Sequence, residues 1–73
     1  MTGNEFIRSI KNIGKRNRVT VRFVKQRGKG SHGTLYYGTS FTIVRNPKDE
    51  LKKGTLHAML AQIGLSITDI TGG

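Results

Sequence analysis

The spacing of apolar residues in this 73-residue chain changes twice, from a helical period to an alternating one and back. This change restricts the fold more than any other feature, because helices bury one stripe of side chains and strands bury every second one. At the N-terminus, Thr2 and Glu5 have the spacing of a capping box and predict a helix over about residues 3–13, ended by Gly14. The apolar stripe of that helix consists of Phe6, Ile7, Ile10 and Ile13.

A second helical pattern lies near the C-terminus. We predict that Thr55 caps this helix and that Gly64 closes it in a left-handed conformation. Residues 66–73 end in two glycines, and we expect this tail to be mobile. The apolar stripe of the second helix consists of Leu56, Met59, Leu60 and Ile63.

The middle of the chain predicts three strands, at about residues 19–23, 34–37 and 41–44. Residues 26–33 contain three glycines and no apolar side chain, which is typical of a loop, and residues 38–40 form a turn signal. Asn46-Pro47 ends the last strand, because proline lacks the N–H that a sheet requires.

Three consecutive strands with short links predict an antiparallel meander, and both amphipathic helices would bury their stripes on one of its faces. The predicted fold class is α+β, in the order α-β-β-β-α, as one domain over residues 1–73 with the second sheet face open. A domain this small has a thin core, so a deep cofactor cavity is not expected.

The net charge of the chain restricts the classes of partner that it can be expected to bind. Thirteen Lys and Arg residues against four Asp and Glu residues give a net charge of +9, and no acidic residue lies between Arg8 and Lys48. Such a surface favours a polyanionic partner, which is a nucleic acid, an anionic membrane or an acidic protein, and a basic surface kept for solubility is the alternative. The chain has no cysteine, no apolar run that could span a membrane and no signal-peptide pattern, so we expect a cytoplasmic protein.

Two histidines are the candidates for proton transfer. His57 lies in the second helix, where a structural or surface role is the simpler interpretation. His32 lies in the glycine-rich loop, between basic residues and two tyrosines. This stretch has no apolar residues, so a structural role in the core is not expected for His32. Cleavage of RNA by its own 2′-hydroxyl needs a base, an acid and positive charge at the phosphate, and histidine can both give and take a proton near neutral pH. The residues give no metal-ligand spacing and no carboxylate pair, so we expect no metal and no cofactor.

The residues around His32 suit the binding of RNA. Basic side chains would neutralise phosphates, backbone N–H groups beside glycines could approach them closely, and one of two adjacent tyrosines must face outward to stack on a base. A loose hairpin connection is the alternative for the glycine-rich loop. The candidate RNA-binding residues are Lys25, Arg27, Lys29, Gly30, Ser31, Gly33, Tyr36 and Tyr37.

Three stretches together resemble the HicA-type toxins, the messenger-RNA interferases of HicA–HicB toxin–antitoxin systems. They are residues 4–14, the motif Gly30-Ser31-His32 followed by two tyrosines and Gly38, and residues 54–65, which begin Gly-Thr-Leu. The resemblance implies a fold like the double-stranded-RNA-binding domain, an endoribonuclease that acts on messenger RNA without a metal, and a catalytic role for His32. It also implies a HicB-like antitoxin as partner, whose interface over the sheet and the glycine-rich loop we expect to be acidic, with no membrane and no small-molecule substrate.

The sequence departs from that family in the loop before the motif, where Gly28 and Lys29 are inserted ahead of Gly30, in a more basic first strand, and after the third strand. A second histidine often follows the third strand there, whereas this chain reads Val44-Arg45-Asn46-Pro47. The role of that histidine cannot be carried over, so the proton-transfer partner of His32 stays unassigned. A non-catalytic RNA-binding module of the same fold, with Lys48, Lys52 and Lys53 before the last helix, is the main alternative, and a protein that meets only an acidic partner is another.

Overall fold

The chain folds in the predicted order, with one short helix added at the end. The computed structural model describes residues 1–26 and 32–71. The three strands form one antiparallel sheet in the order β1-β2-β3, which confirms the meander. The elements are α1 (Gly3–Asn17), β1 (Val21–Lys25), β2 (Gly33–Tyr37), β3 (Ser40–Val44), α2 (Lys53–Gln62) and α3 (Ile67–Thr71).

The capping box that starts α1 is confirmed. The backbone N–H of Glu5 donates to the hydroxyl of Thr2 at 3.2 Å, and the N–H of Thr2 donates to the Glu5 carboxylate at 2.9 Å. These two bonds satisfy N–H groups that the first turn of a helix leaves without a partner.

The predicted end of α1 at Gly14 is wrong, because the helix continues to Asn17 and Arg18 caps it in the left-handed conformation, with φ of 57°. Close packing explains the glycine at position 14. A Cβ at this position would lie 2.4 Å from Cγ2 of Val21, so glycine here lets β1 pack directly against the helix.

The core lies between one face of the sheet and the helices. From the sheet, Leu35 and Val44 are fully buried, and from the helices every predicted apolar position of α1 is buried. Full burial of side chains of this size contributes about 1.5–3 kcal/mol each. The buried hydrophobic residues are Phe6, Ile7, Ile10, Ile13, Leu35, Val44, Met59, Leu60 and Ile63.

Strand β3 turns its smaller residues inward. Thr42 is buried and its hydroxyl donates to the side-chain oxygen of Gln62, which ties β3 to α2 and satisfies the polar group. Phe41 and Ile43 therefore lie on the opposite face, where they are 55% and 38% exposed.

The second predicted helix starts earlier than expected. Its N-cap is Lys52, which makes no side-chain capping bond, and the prediction that Thr55 caps it is wrong. The N–H of Leu56 already donates to the carbonyl of Lys52, so Thr55 lies inside the first turn. Gly64 has φ of 75°, which confirms the left-handed residue after this helix.

The tail expected to be mobile contains α3, which packs against α1. The N–H of Ser66 donates to the carboxylate of Asp69 at 2.8 Å, and Arg16 donates to the backbone carbonyl of Asp69 at 3.2 Å. Ile67 and Ile70 are half-buried against the core. None of the helices in residues 1–26 and 32–71 has the length and hydropathy of a membrane span.

Candidate active site and nucleic-acid interface

The sheet has one face that no described helix covers. Strand alternation and the register between strands place the same six residues on it, and Val24, Phe41 and Ile43 are its most exposed large apolar side chains. None of the six is acidic and one is an arginine, so this outer face combines exposed apolar side chains with positive charge. Its residues are Arg22, Val24, Thr34, Tyr36, Phe41 and Ile43.

The two adjacent tyrosines point to opposite faces of β2, as expected. Tyr36 lies on the outer face, where its ring centroid is 6.0 Å from that of Phe41 and 5.6 Å from the guanidinium carbon of Arg22. Tyr37 packs against the core, and its hydroxyl accepts a hydrogen bond from the side-chain amide of Asn17 at 2.9 Å. Of the two rings, Tyr36 is therefore the one on the open face of the sheet.

His32 lies one residue before β2 and is half-buried. The N–H of Gln26 donates to its carbonyl at 2.9 Å, which continues the pairing of β1 and β2 beyond Lys25 and Gly33 and fixes the backbone of the histidine. Alternation along β2 assigns His32 to the same side as Thr34 and Tyr36. Within residues 1–26 and 32–71, no group hydrogen-bonds the imidazole, so both of its nitrogens are available to a ligand.

Two cations lie near His32 at this end of the sheet, Lys25 in β1 and Arg45 just after β3. Lys25 is exposed at the end of β1, opposite Gly33, and alternation along β1 puts its side chain on the other face of the sheet from His32. Because Gly33 pairs with Val44, the next residues outward, His32 and Arg45, are neighbours across the end of β2 and β3. Sequence reasoning missed Arg45, although the turn predicted at residues 38–40 fixes the register that brings it there.

Gly33 has a packing role that its position in the sequence did not indicate. It is buried, and a Cβ there would lie 2.4 Å from the tip of the Phe23 ring. The ring of Phe23 therefore covers the backbone immediately after His32. Four other candidates, Arg27, Lys29, Gly30 and Ser31, lie outside the described residues.

Other groups that could do chemistry lie elsewhere. His57 is exposed on α2. In the part of the chain that is described, no three His, Cys, Asp or Glu side chains come together as metal ligands would. A groove of about 730 Å³ runs between β3 and α2, with Asp49 and Glu50 in its wall, but His32 is not among its lining residues.

The resolved electrostatic shifts lie at the N-terminus, away from this site. The backbone N–H of Thr2, followed by its hydroxyl, lowers the pKa of Glu5, and the hydrogen bond that the Met1 ammonium donates to the Glu50 carboxylate raises the pKa of that ammonium. Both shifts stabilise charged groups near the start of α1.

A protein-family model described as "HicA toxin of bacterial toxin-antitoxin" matches residues 3–65. No curated protein and no solved structure matches the chain. The matched range runs from the first residue of α1 past the end of α2 and contains His32, both tyrosines and Arg45.

Proposed function

This chain belongs to the HicA toxin family of bacterial toxin–antitoxin systems, and we propose that it is an endoribonuclease that cleaves messenger RNA with His32 as its acid–base group. The position of His32 carries the proposal. Its backbone is fixed by the sheet, its imidazole has no hydrogen-bond partner among the described residues, and Arg45, the residue after β3, lies beside it at the same end of the sheet.

The chemistry that fits these residues is transfer of the phosphodiester to the 2′-hydroxyl. A base removes the proton of the 2′-hydroxyl, the oxygen attacks phosphorus, and the bond to the 5′-oxygen breaks as that oxygen takes up a proton. The products are a 2′,3′-cyclic phosphate and a free 5′-hydroxyl. His32 serves as the base or the acid, and a positioned group of this kind contributes about 10²- to 10⁴-fold in rate.

The charge that builds on the phosphate needs compensation. Arg45, beside His32 at this end of the sheet, would supply a planar group suited to bidentate contacts with phosphate oxygens, and Lys25 would add positive charge at the same end from the other face. The loop residues Arg27, Lys29, Gly30 and Ser31 would complete the phosphate site on the grounds of their chemistry alone. Gly33, by contrast, is needed for packing and contributes through its backbone.

The direct test replaces His32 by alanine, with His57→Ala as the matched control because His57 is exposed on α2. We expect His32→Ala to lower the rate of RNA cleavage by about 10²- to 10⁴-fold and to remove toxicity in cells that lack the antitoxin. His57→Ala should cleave like the unchanged protein. Full toxicity of His32→Ala would contradict the assignment, and products with a 3′-hydroxyl and a 5′-phosphate would exclude the 2′-hydroxyl route.

A non-catalytic RNA-binding module is the second candidate. Lys48, Lys52 and Lys53 are all exposed just before or at the start of α2, and they favour contacts with a phosphate backbone. This function predicts binding that weakens steeply with salt while the RNA stays intact. A time course of labelled RNA with purified protein separates the two, since cleavage that depends on His32 excludes the module.

The HicA family implies a HicB antitoxin as the partner of this toxin. We propose that the antitoxin presents an acidic surface to the sheet and the glycine-rich loop and thereby competes with RNA. The net charge of +9 supports this, because complementary charge increases the rate and the selectivity of association.

A further inference from the structure

Three planar side chains form a row across the full width of the outer sheet face. Arg22 on β1 pairs with Tyr36 on β2, and Tyr36 pairs with Phe41 on β3. The guanidinium of Arg22 lies over the Tyr36 ring, and the rings of Tyr36 and Phe41 are inclined at 48° with centroids 6.0 Å apart. Phe41 is 55% exposed, so the edge of this row is open to a ligand.

Exposed apolar side chains that form a patch mark an interaction site, and Phe41 and Ile43, two residues apart on β3, are both exposed on this face. A nucleobase suits this row better than a protein surface does, because bases stack both on aromatic rings and on guanidinium planes. The charge also favours a nucleic acid as the ligand, since no acidic residue lies on this face and the chain has a net charge of +9.

The row is also aligned with the proposed catalytic residue. His32 and Tyr36 lie on the same side of β2, four residues apart, which corresponds to about 13 Å along a strand. A strand of RNA whose bases rest on the row can therefore extend its backbone along β2 toward His32. Arg45 lies beside His32 at that end of the sheet.

We propose that Arg22, Tyr36 and Phe41 form a stacking platform for unpaired bases, so that the substrate is single-stranded RNA and Phe41 and Arg22 are binding residues. This inference rests on the proposed function, because it gives the same site its substrate class. Duplex RNA does not fit the platform, since its bases are already stacked and paired and its grooves present edges rather than faces.

Binding is measured apart from cleavage with a labelled single strand that carries 2′-O-methyl riboses. This strand keeps its bases and phosphates but lacks the attacking hydroxyl. Fluorescence anisotropy at fixed salt gives its Kd for each variant, and a duplex of the same length is the second probe. We expect Phe41→Ala to weaken single-strand binding by about 5- to 150-fold, the range for loss of one stacked base. Duplex binding should change little.

Two matched comparisons separate stacking from other effects. Phe41→Leu keeps an apolar side chain but no ring and should lose most of the affinity, whereas Phe41→Tyr keeps the ring and should retain it. Arg22→Gln should weaken single-strand binding more than Lys11→Gln, which removes one exposed charge from α1. Thermal melts check that each variant is folded, and Phe41 tolerates exchange because it lies outside the core.

The proposal is overturned if Phe41→Leu and Phe41→Tyr bind the single strand equally, or if Phe41→Ala weakens single-strand and duplex binding alike. It is also overturned if Phe41→Ala keeps its RNA affinity and loses affinity for the cognate antitoxin, since the face would then dock a protein. Each of these results leaves the catalytic role of His32 untouched. Conversely, unchanged cleavage by His32→Ala would remove the proposed catalytic role without changing the binding measured on the uncleavable strand.

Discussion

Replacing Gly33 by alanine adds one methyl group at the most crowded point beside the candidate active site. The new Cβ would lie 2.4 Å and 2.7 Å from two carbons of the Phe23 ring and 3.0 Å from the carbonyl oxygen of Val24. Carbon atoms in contact prefer about 3.5–4.0 Å, so the ring must move by roughly 1 Å or more. The carbonyl belongs to β1 and cannot move without disturbing its pairing with β2.

Crowding of this kind costs about 1–3 kcal/mol. Phe23 is only half-buried, so its ring can turn toward solvent, and we expect a cost near the middle of that range, about 2 kcal/mol. In a domain of this size each kcal/mol lowers Tm by about 4–8 °C, so Gly33→Ala should melt about 8–16 °C below the unchanged protein. Gly54→Ala is the matched control, because nothing lies within 4 Å of its Cβ and alanine favours the helix by up to about 1 kcal/mol.

The assay is thermal and urea unfolding followed by circular dichroism, repeated with Phe23→Leu. If the Phe23 ring is the obstacle, Gly33→Ala should cost less with leucine at position 23, and the coupling should be about 0.5–3 kcal/mol. A melt identical to that of the unchanged protein would refute the reasoning, as would an equal cost with either residue at position 23. The rate of RNA cleavage, measured well below Tm, distinguishes a packing role of Gly33 from a direct role in the reaction. If Gly33 acts only in packing, the folded Gly33→Ala variant stays active.

The remaining predictions concern the two ends of α1. Thr2→Ala removes the hydroxyl that accepts from Glu5 and should cost about 1 kcal/mol in urea unfolding, whereas Thr2→Ser should cost much less. Because the folded protein lowers the pKa of Glu5, its stabilising contribution is present above the ordinary pKa and lost as pH falls through the lowered one, so Glu5→Gln should flatten the acid limb of a Tm-against-pH profile. Arg18→Gly should raise stability by about 1 kcal/mol, because it removes the strain of a side chain at φ of 57°, and a lower Tm would contradict that account.

Local sequence signals predicted the fold well where the residues that form the sequence pattern also make the stabilising contacts. The capping box at Thr2 and Glu5 is a short-range hydrogen-bond pattern and is present as predicted. The meander followed from short links between alternating segments, and its register follows from the turn after Tyr37.

Predictions failed where tertiary contacts decided the outcome. Gly14 looked like a helix end, but the approach of Val21 explains the glycine and the helix continues past it. Thr55 looked like a cap, but the backbone had already begun to turn at Lys52. The short helix α3 was missed although Ser66 and Asp69 have capping-box spacing, because its half-buried isoleucines are too few to form a recognisable stripe.

The candidate site also contains residues that the sequence identified and residues that only the tertiary structure identified. The sequence named His32 and predicted that one tyrosine faces outward, and only the register showed that it is Tyr36. Phe41 and Arg45 went unnoticed because both belong to the site through their strand neighbours and not through a motif. For Arg27, Lys29, Gly30 and Ser31 the assignment stays a prediction, since they lie outside the described residues.

The position of β3 at the side of the sheet has a consequence for handling this protein. Among the described residues no strand pairs with its outer edge, so its backbone groups there can template the addition of another chain. Mutual repulsion between copies that each carry +9 opposes such association at low ionic strength. At physiological ionic strength that repulsion is screened beyond about 8 Å. Colloidal stability of the free toxin should therefore decline as salt is added, in contrast to proteins whose solubility does not depend on like charge.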